Sequence, residues 1–199
     1  GVDHGVSWLG CRVDVCSPAK RLPGGHVSAA QPAPSALNIT RDEAAARAAA
    51  ISVDSYRVER DLTGTQDTFG STTTVRFTAE DDAFGTSTFI DFVSSEITSV
   101  LLTGEEWGAA ASDGVRITVG PLAAANELIV AGRGLYMNTG EGLHRFIDPV
   151  DEETYLYTQF EVPDSRRMFA VFEQPDLKAT FQFVVVAPDH WSVVSNQPT

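Results

Sequence analysis

From Ser52 onward the chain reads as a succession of short segments in which apolar and polar residues alternate, each closed off by Gly, Asn, Asp or Pro. Side chains along a strand point to opposite faces in turn, so a period of two marks a strand with one buried side. Tyr56, Val58, Arg60 and Leu62 alternate with polar neighbours, and the stretch 69–79 puts Phe69, Val75 and Phe77 on one face. The same reading predicts strands at 87–93, 97–102, 115–119, 127–131, 154–161, 179–187 and 190–195. There is no strand–helix–strand rhythm and no internal repeat. A chain built this way can bury its apolar faces only by pairing sheets, so the expected class is all-β, a two-sheet antiparallel β-sandwich.

One helix is expected ahead of the strands. Thr40-Arg-Asp-Glu43 is a capping box, followed by an Ala-rich run ending near Ala50. In that motif the threonine hydroxyl accepts from the glutamate amide while the glutamate reaches back to the threonine N–H. Residues 1–37 read differently. Pro, Gly, Ala and Ser accumulate, which suits a disordered or loosely packed extension before a domain at 38–199. Cys11 and Cys16, with His4 and His26 nearby, form only a weak zinc signal, because Cys-x4-Cys lacks a second tight pair.

Bulk properties exclude some functions. The formal net charge is −13 and the pI is near 4.5, which argues against nucleic acid and against anionic membrane as partners. No apolar run reaches the roughly 20 residues that a membrane span needs. The only two cysteines lie near the N-terminus, so 38–199 has none. That usage and the lack of a signal-peptide pattern lead to an expected cytoplasmic location.

Candidate site residues come from Tyr155-Leu-Tyr-Thr-Gln-Phe-Glu161. On a strand, Gln159 and Glu161 share one face. A neutral amide beside a carboxylate suits a ligand with one positive end, such as a peptide N-terminus, and an ordinary solvated strand face has the same pattern. His144 is expected to be a hydrogen-bonded histidine, since one His makes no metal site. Gly140-Glu-Gly142 is expected to form a turn rather than a phosphate loop. Arg166 and Arg167 are expected in local ion pairs with Asp164 and Asp176.

Thr158-Gln-Phe-Glu161, then Arg166-Arg167 and Phe172-Glu-Gln-Pro-Asp-Leu-Lys-Ala179, resembles the N-terminal domain of the M1 family of zinc aminopeptidases, of the bacterial aminopeptidase N type. Val53-Asp-Ser-Tyr56, Ser71-Thr-Thr-Thr-Val-Arg-Phe77, Thr139-Gly-Glu-Gly-Leu-His-Arg-Phe146, Asp148-Pro-Val-Asp151 and His190-Trp-Ser-Val-Val-Ser-Asn196 follow in family order. The chain departs from the family at Val171, usually Cys, and at Glu173, usually Asp.

The resemblance implies a saddle-like sheet domain set against a catalytic domain of the same polypeptide, with peptides carrying a free N-terminus as substrates. It implies that Glu161 ligates the substrate α-amine and that Gln159 lines the pocket for the first side chain. The His-Glu-x-x-His zinc motif does not occur in this sequence. No catalytic or metal-ligating residue is therefore assigned in this chain. Zinc is expected in the full-length enzyme on ligands outside it, and the fragment alone is expected to be inactive. A domain of this kind should expose an apolar patch on the side of the strand around Gln159. Other readings are a stand-alone β-sandwich binding module, or a domain of an M1 relative with an altered role, either an epoxide hydrolase of the leukotriene A4 type or an M1-like protein without peptidase activity.

Overall fold

The structure is a computed structural model and describes residues 11–15 (backbone only), 38–107 and 112–198. The first regular element of the body is α1, Arg41–Ala50, and its start is the expected capping box. The Glu43 N–H donates to Thr40 Oγ1 at 3.2 Å, and the Thr40 N–H donates to Glu43 Oε2 at 2.8 Å. Ala-rich propensity carries the helix to Ala50, where the chain turns extended.

The strands are β1 Cys11–Val15, β2 Ile51–Asp61, β3 Thr68–Ala79, β4 Thr88–Asp91, β5 Glu96–Leu102, β6 Glu105–Glu106, β7 Arg116–Val119, β8 Ala125–Leu135, β9 Gly142–Ile147, β10 Thr154–Gln159 and β11 Thr180–Val186. Seven of them form one sheet in the order β1-β11-β2-β3-β8-β5-β6. β4 pairs with β7, and β9 with β10, as separate antiparallel ribbons. The all-β class and the single N-terminal helix are as expected.

Antiparallel pairing holds from β2 to β6, but β11 lies parallel to β2 and β1 lies parallel to β11. Parallel neighbours cannot be joined by a tight turn, and β2 and β11 are far apart in the chain, with eight of the described strands between them in sequence. Of the 1–37 extension, only the backbone of β1 is among the described residues. The cysteine and histidine side chains considered as a weak metal signal lie outside them.

One face of the sheet is the core wall. Val58, Phe69, Val75, Phe77, Leu128 and Val130 are buried there, as the alternation predicts. The opposite face is polar and carries exposed cross-strand pairs such as Arg76–Glu127 at 2.9 Å. The second layer is not a full sheet. It is the β4–β7 ribbon, with Ile90 and Ile117 buried, together with the irregular run 160–177. Aromatic contacts join the layers. Phe172 meets Phe77 edge-on at 5.3 Å, and Phe169 meets Phe181 and Phe183 at 6.1 and 5.7 Å.

Two segments depart from the predicted strands. Residues 190–195 form no strand, although Trp191 and Val193 pack on Val185 and Ala187. Their alternation is real, but no sheet edge pairs with them, and Val194 is 90 % exposed. Conversely β9 was not anticipated, because Gly140-Glu-Gly142, at its start, reads as a turn. Gly142 does have a positive φ of 66° and sits against Arg167, so a side chain there would collide. The strand begins at that same residue.

Candidate functional site

The β9–β10 ribbon builds the site from its register. Tyr157 lies opposite His144, Tyr155 opposite Phe146, and Gln159 opposite Gly142. These residues share one face. His144 stacks on Tyr157 at 4.6 Å and Phe146 stacks on Tyr155 at 5.3 Å. Phe146, Tyr155 and Tyr157 are 39 %, 43 % and 46 % exposed, so this aromatic ladder looks outward. The expected apolar patch is on the side bearing Gln159. His144 is the hydrogen-bonded histidine expected, with Nδ1 accepting from the Gly140 N–H at 3.1 Å.

Gln159 stands at the end of the ladder, opposite a residue with no side chain. There the ladder runs out. Phe160 turns inward, meeting Phe169 edge-on at 5.7 Å, and Glu161 lies in a turn beyond β10. The predicted strand 154–161 is thus too long by its last residues, and the two candidates do not share a strand face. A hydrogen bond joins them instead, from the Glu161 N–H to Gln159 Oε1 at 3.1 Å. Glu161 is exposed, and its backbone makes that bond, which leaves the carboxylate to solvent.

Two open grooves flank Phe160. One, of about 1020 Å³, runs between β10, β11 and residues 190–196, with Tyr155, Tyr157, Phe183 and Trp191 in its wall. The other, of about 730 Å³, is lined by Glu161, Asp54, Tyr56, Phe160, Glu173 and Lys178 among others. Gln159 lines neither of these two.

Behind the turn lies a buried polar network that sequence reasoning missed. Arg47, the one buried residue of α1, donates to Asp91 Oδ2 at 3.0 Å and to Gln174 Oε1 at 3.0 Å. Gln174 donates back to the Ala44 carbonyl at 2.8 Å. Glu173 accepts from the Ser165 hydroxyl, and from the Arg166 N–H at 2.8 Å. Burial pushes the Glu173 carboxyl up, against the pull of those two hydrogen bonds. Burial also pushes the Tyr56 phenol up, and its hydroxyl accepts from the Phe172 N–H at 3.2 Å. Of the predicted arginine pairs, Arg167 does meet Asp164, at 2.8 Å. Arg166 is buried, within the field of Asp91, Glu173 and Asp164.

No group of three or more His, Cys, Asp and Glu among the described residues could hold a metal ion. These residues do not fit a zinc site, and no hydrolytic step is derived from them. No helix of the described residues is long and apolar enough to cross a membrane.

Comparison with known proteins agrees with this architecture. Residues 53–199 match the family model for the peptidase M1 N-terminal domain. The chain is 52 % identical over 166 residues to an aminopeptidase N of Streptomyces lividans, covering 81 % of this chain and 19 % of that protein. It is 39 % identical over 77 residues to an aminopeptidase N of Acetobacter pasteurianus, covering 37 % of this chain and 22 % of the relative. The chain thus spans about a fifth of the length of these relatives. Among solved structures, native leukotriene A4 hydrolase from Saccharomyces cerevisiae superposes with a TM-score of 0.55 at 14 % identity, over 69 % of this chain and 23 % of that one, a likeness of fold. With a family model covering most of its length and a relative 52 % identical over 166 residues, the chain belongs to the peptidase M1 N-terminal domain family.

Proposed function

We propose that this chain is the N-terminal β domain of a zinc-dependent aminopeptidase that removes N-terminal amino acids from peptides, and that it caps the active site and anchors the substrate α-amine. The observation that carries this reading is Glu161. It is an exposed carboxylate on a turn tied at one side by Gln159 and backed by a buried network. A carboxylate held in place accepts charge-assisted hydrogen bonds from an ammonium group, and such bonds are about twice as strong as neutral ones. The anchor then acts as a ruler. It sets the first peptide bond, and no internal one, at the catalytic centre. Gln159, at the end of the aromatic ladder, lines the pocket for the first side chain.

The zinc and its ligands belong to the catalytic domain of the same polypeptide, outside this chain, and this fragment alone binds no zinc and cleaves nothing. The exposed Phe146, Tyr155 and Tyr157 favour a domain that docks against a neighbour over a free-standing binding module, which would present a polar face there. The cysteine-free body supports a cytoplasmic protein, and the net charge of −13 supports neither nucleic acid nor anionic membrane as partner.

The test is kinetic and uses the full-length parent. Hydrogen bonds to a charged group are worth about 1.5–3 kcal/mol, so Glu161→Gln lowers kcat/KM on free-amine peptides about 10- to 100-fold. Gln159→Ala instead shifts preference among first side chains. N-acetylated peptides stay poor substrates for every form. Unchanged activity of the Glu161→Gln enzyme would mean a solvated turn residue and an anchor elsewhere.

A further inference from the structure

The run from Phe160 to Phe172 leaves β10 and reaches the core with only a single 3-10 turn, at Ser165–Arg167, for regular structure. One residue, Glu173, takes part at both ends of it, beside the backbone bond from the Val93 N–H to the Arg166 carbonyl at 2.8 Å. Glu173 Oε2 accepts from the Ser165 hydroxyl and from the Arg166 N–H, and so gathers the near end of the loop, just beyond the Glu161 turn. The far end is tied down through the backbone. The Glu173 N–H donates to Asp91 Oδ2 at 3.3 Å, the oxygen that also takes Arg47. Val171 and Asp91 exchange backbone bonds at 2.9 and 3.0 Å. Glu161, Ser165 and Glu173 line the same groove.

Burying a carboxylate is costly, and Glu173 is only 9 % exposed. An apolar side chain of similar size would suit a purely structural loop base. The carboxylate instead gathers two donors onto one oxygen, an arrangement that a shorter side chain would reach less well.

We propose that Glu173 is a positioning residue: by clasping Ser165 and the Arg166 amide it closes the 160–172 loop and sets where the Glu161 carboxylate stands. This rests on the reading of Glu161 as the amine anchor. Glu173 touches no substrate, and it acts through the turn.

The test is a double-mutant cycle in the full-length parent, reading kcat and KM on an amino-acid p-nitroanilide. Glu173→Ala is expected to raise KM about tenfold with kcat within about threefold. In the Glu161→Gln background the same substitution changes kcat/KM less than about twofold, because there is no anchor left to place. Glu173→Gln, which keeps an acceptor oxygen, stays within about threefold of the parent. If Glu173→Ala does not fold, Ser165→Ala removes one donor, and its smaller effect should likewise vanish in the Glu161→Gln background. An equal loss in both backgrounds overturns the positioning role while leaving the anchor intact. No effect from Glu161→Gln alone overturns the anchor, and the positioning role with it.

Discussion

The main sheet and the run 160–177 are packed against each other and held by different physics. In the sheet, Val58, Phe69, Val75 and Leu128 are buried without exposure, and stability comes from apolar area removed from water. In the loop, Phe169 and Phe172 are buried too, but its path is fixed by Glu173, Asp91, Gln174 and the Arg47 that reaches in from α1. Apolar burial is non-directional and tolerates small slips. Hydrogen-bonded charges are directional and do not. The run that contains Glu161 is thus the part of this fold with directional contacts.

The sharpest way to break this comparison is to remove one charge. Asp91→Ala leaves the Arg47 guanidinium buried without its carboxylate, and breaking a buried pair costs about 3–5 kcal/mol. Chemical denaturation of the 199-residue chain followed by tryptophan fluorescence checks this. A loss below about 1 kcal/mol would make the network incidental.

Arg60 gives the sheet's counterpart. It is 1 % exposed, among the described residues no carboxylate pairs with it and its Nε and Nη2 have no hydrogen-bond partner, and burial lowers its pKa to about 9. Arg60→Met, in the same denaturation experiment, is expected to leave stability within about 1 kcal/mol of the parent or to raise it, since no ion pair is broken and a buried charge is removed. A large loss would give Arg60 the role that Arg47 has.

A smaller effect is expected at the helix start. Thr40→Ala removes a cap worth about 1 kcal/mol. The pH dependence there has a definite sign. The Arg116 hydrogen bond, with help from Thr40, lowers the Glu43 carboxyl from 4.5 to about 2. A depressed carboxylate contributes stability above its unfolded pKa and loses it as pH falls through the folded one. The contribution of the Arg116 pair, whose bond is 2.7 Å long, should therefore fade between pH 4.5 and about 2. Comparing pH titrations of stability for the parent and Glu43→Gln checks this, and a difference that persists unchanged to pH 2 would contradict it. The smallest change belongs to the ladder. Tyr155→Ser should alter the stability of this chain by no more than about 0.5 kcal/mol, because its ring is exposed. A larger loss in thermal unfolding would make the ladder part of the domain's own core.

How much of this was legible in the sequence follows the same division. The capping box and the alternation in β2 and β3 are local signals, and the structure obeys them. Strand order is not local. Nothing in 179–187 tells that its partner runs parallel. The end of β10 depends on where β9 begins, so Glu161 falls outside the strand because Gly142 starts the partner opposite Gln159. Residues 190–195 have strand composition, yet a strand needs an edge to join. The polar network was hidden because each member is unremarkable alone. Arg47 lies in an Ala-rich helix, and Asp91 at the end of a short strand. The resemblance to M1 domains pointed to Gln159 and Glu161, and the fold supplies what lies behind them.

On the proposed function, the Glu161 turn is a placed functional group rather than a structural one. Melting temperature and kcat/KM, measured on the same preparation of full-length Glu161→Gln enzyme, decide this. An unchanged melting temperature is expected, because the side chain is exposed, with kcat/KM on a free-amine substrate about 10- to 100-fold lower. Full activity at an unchanged melting temperature would contradict it.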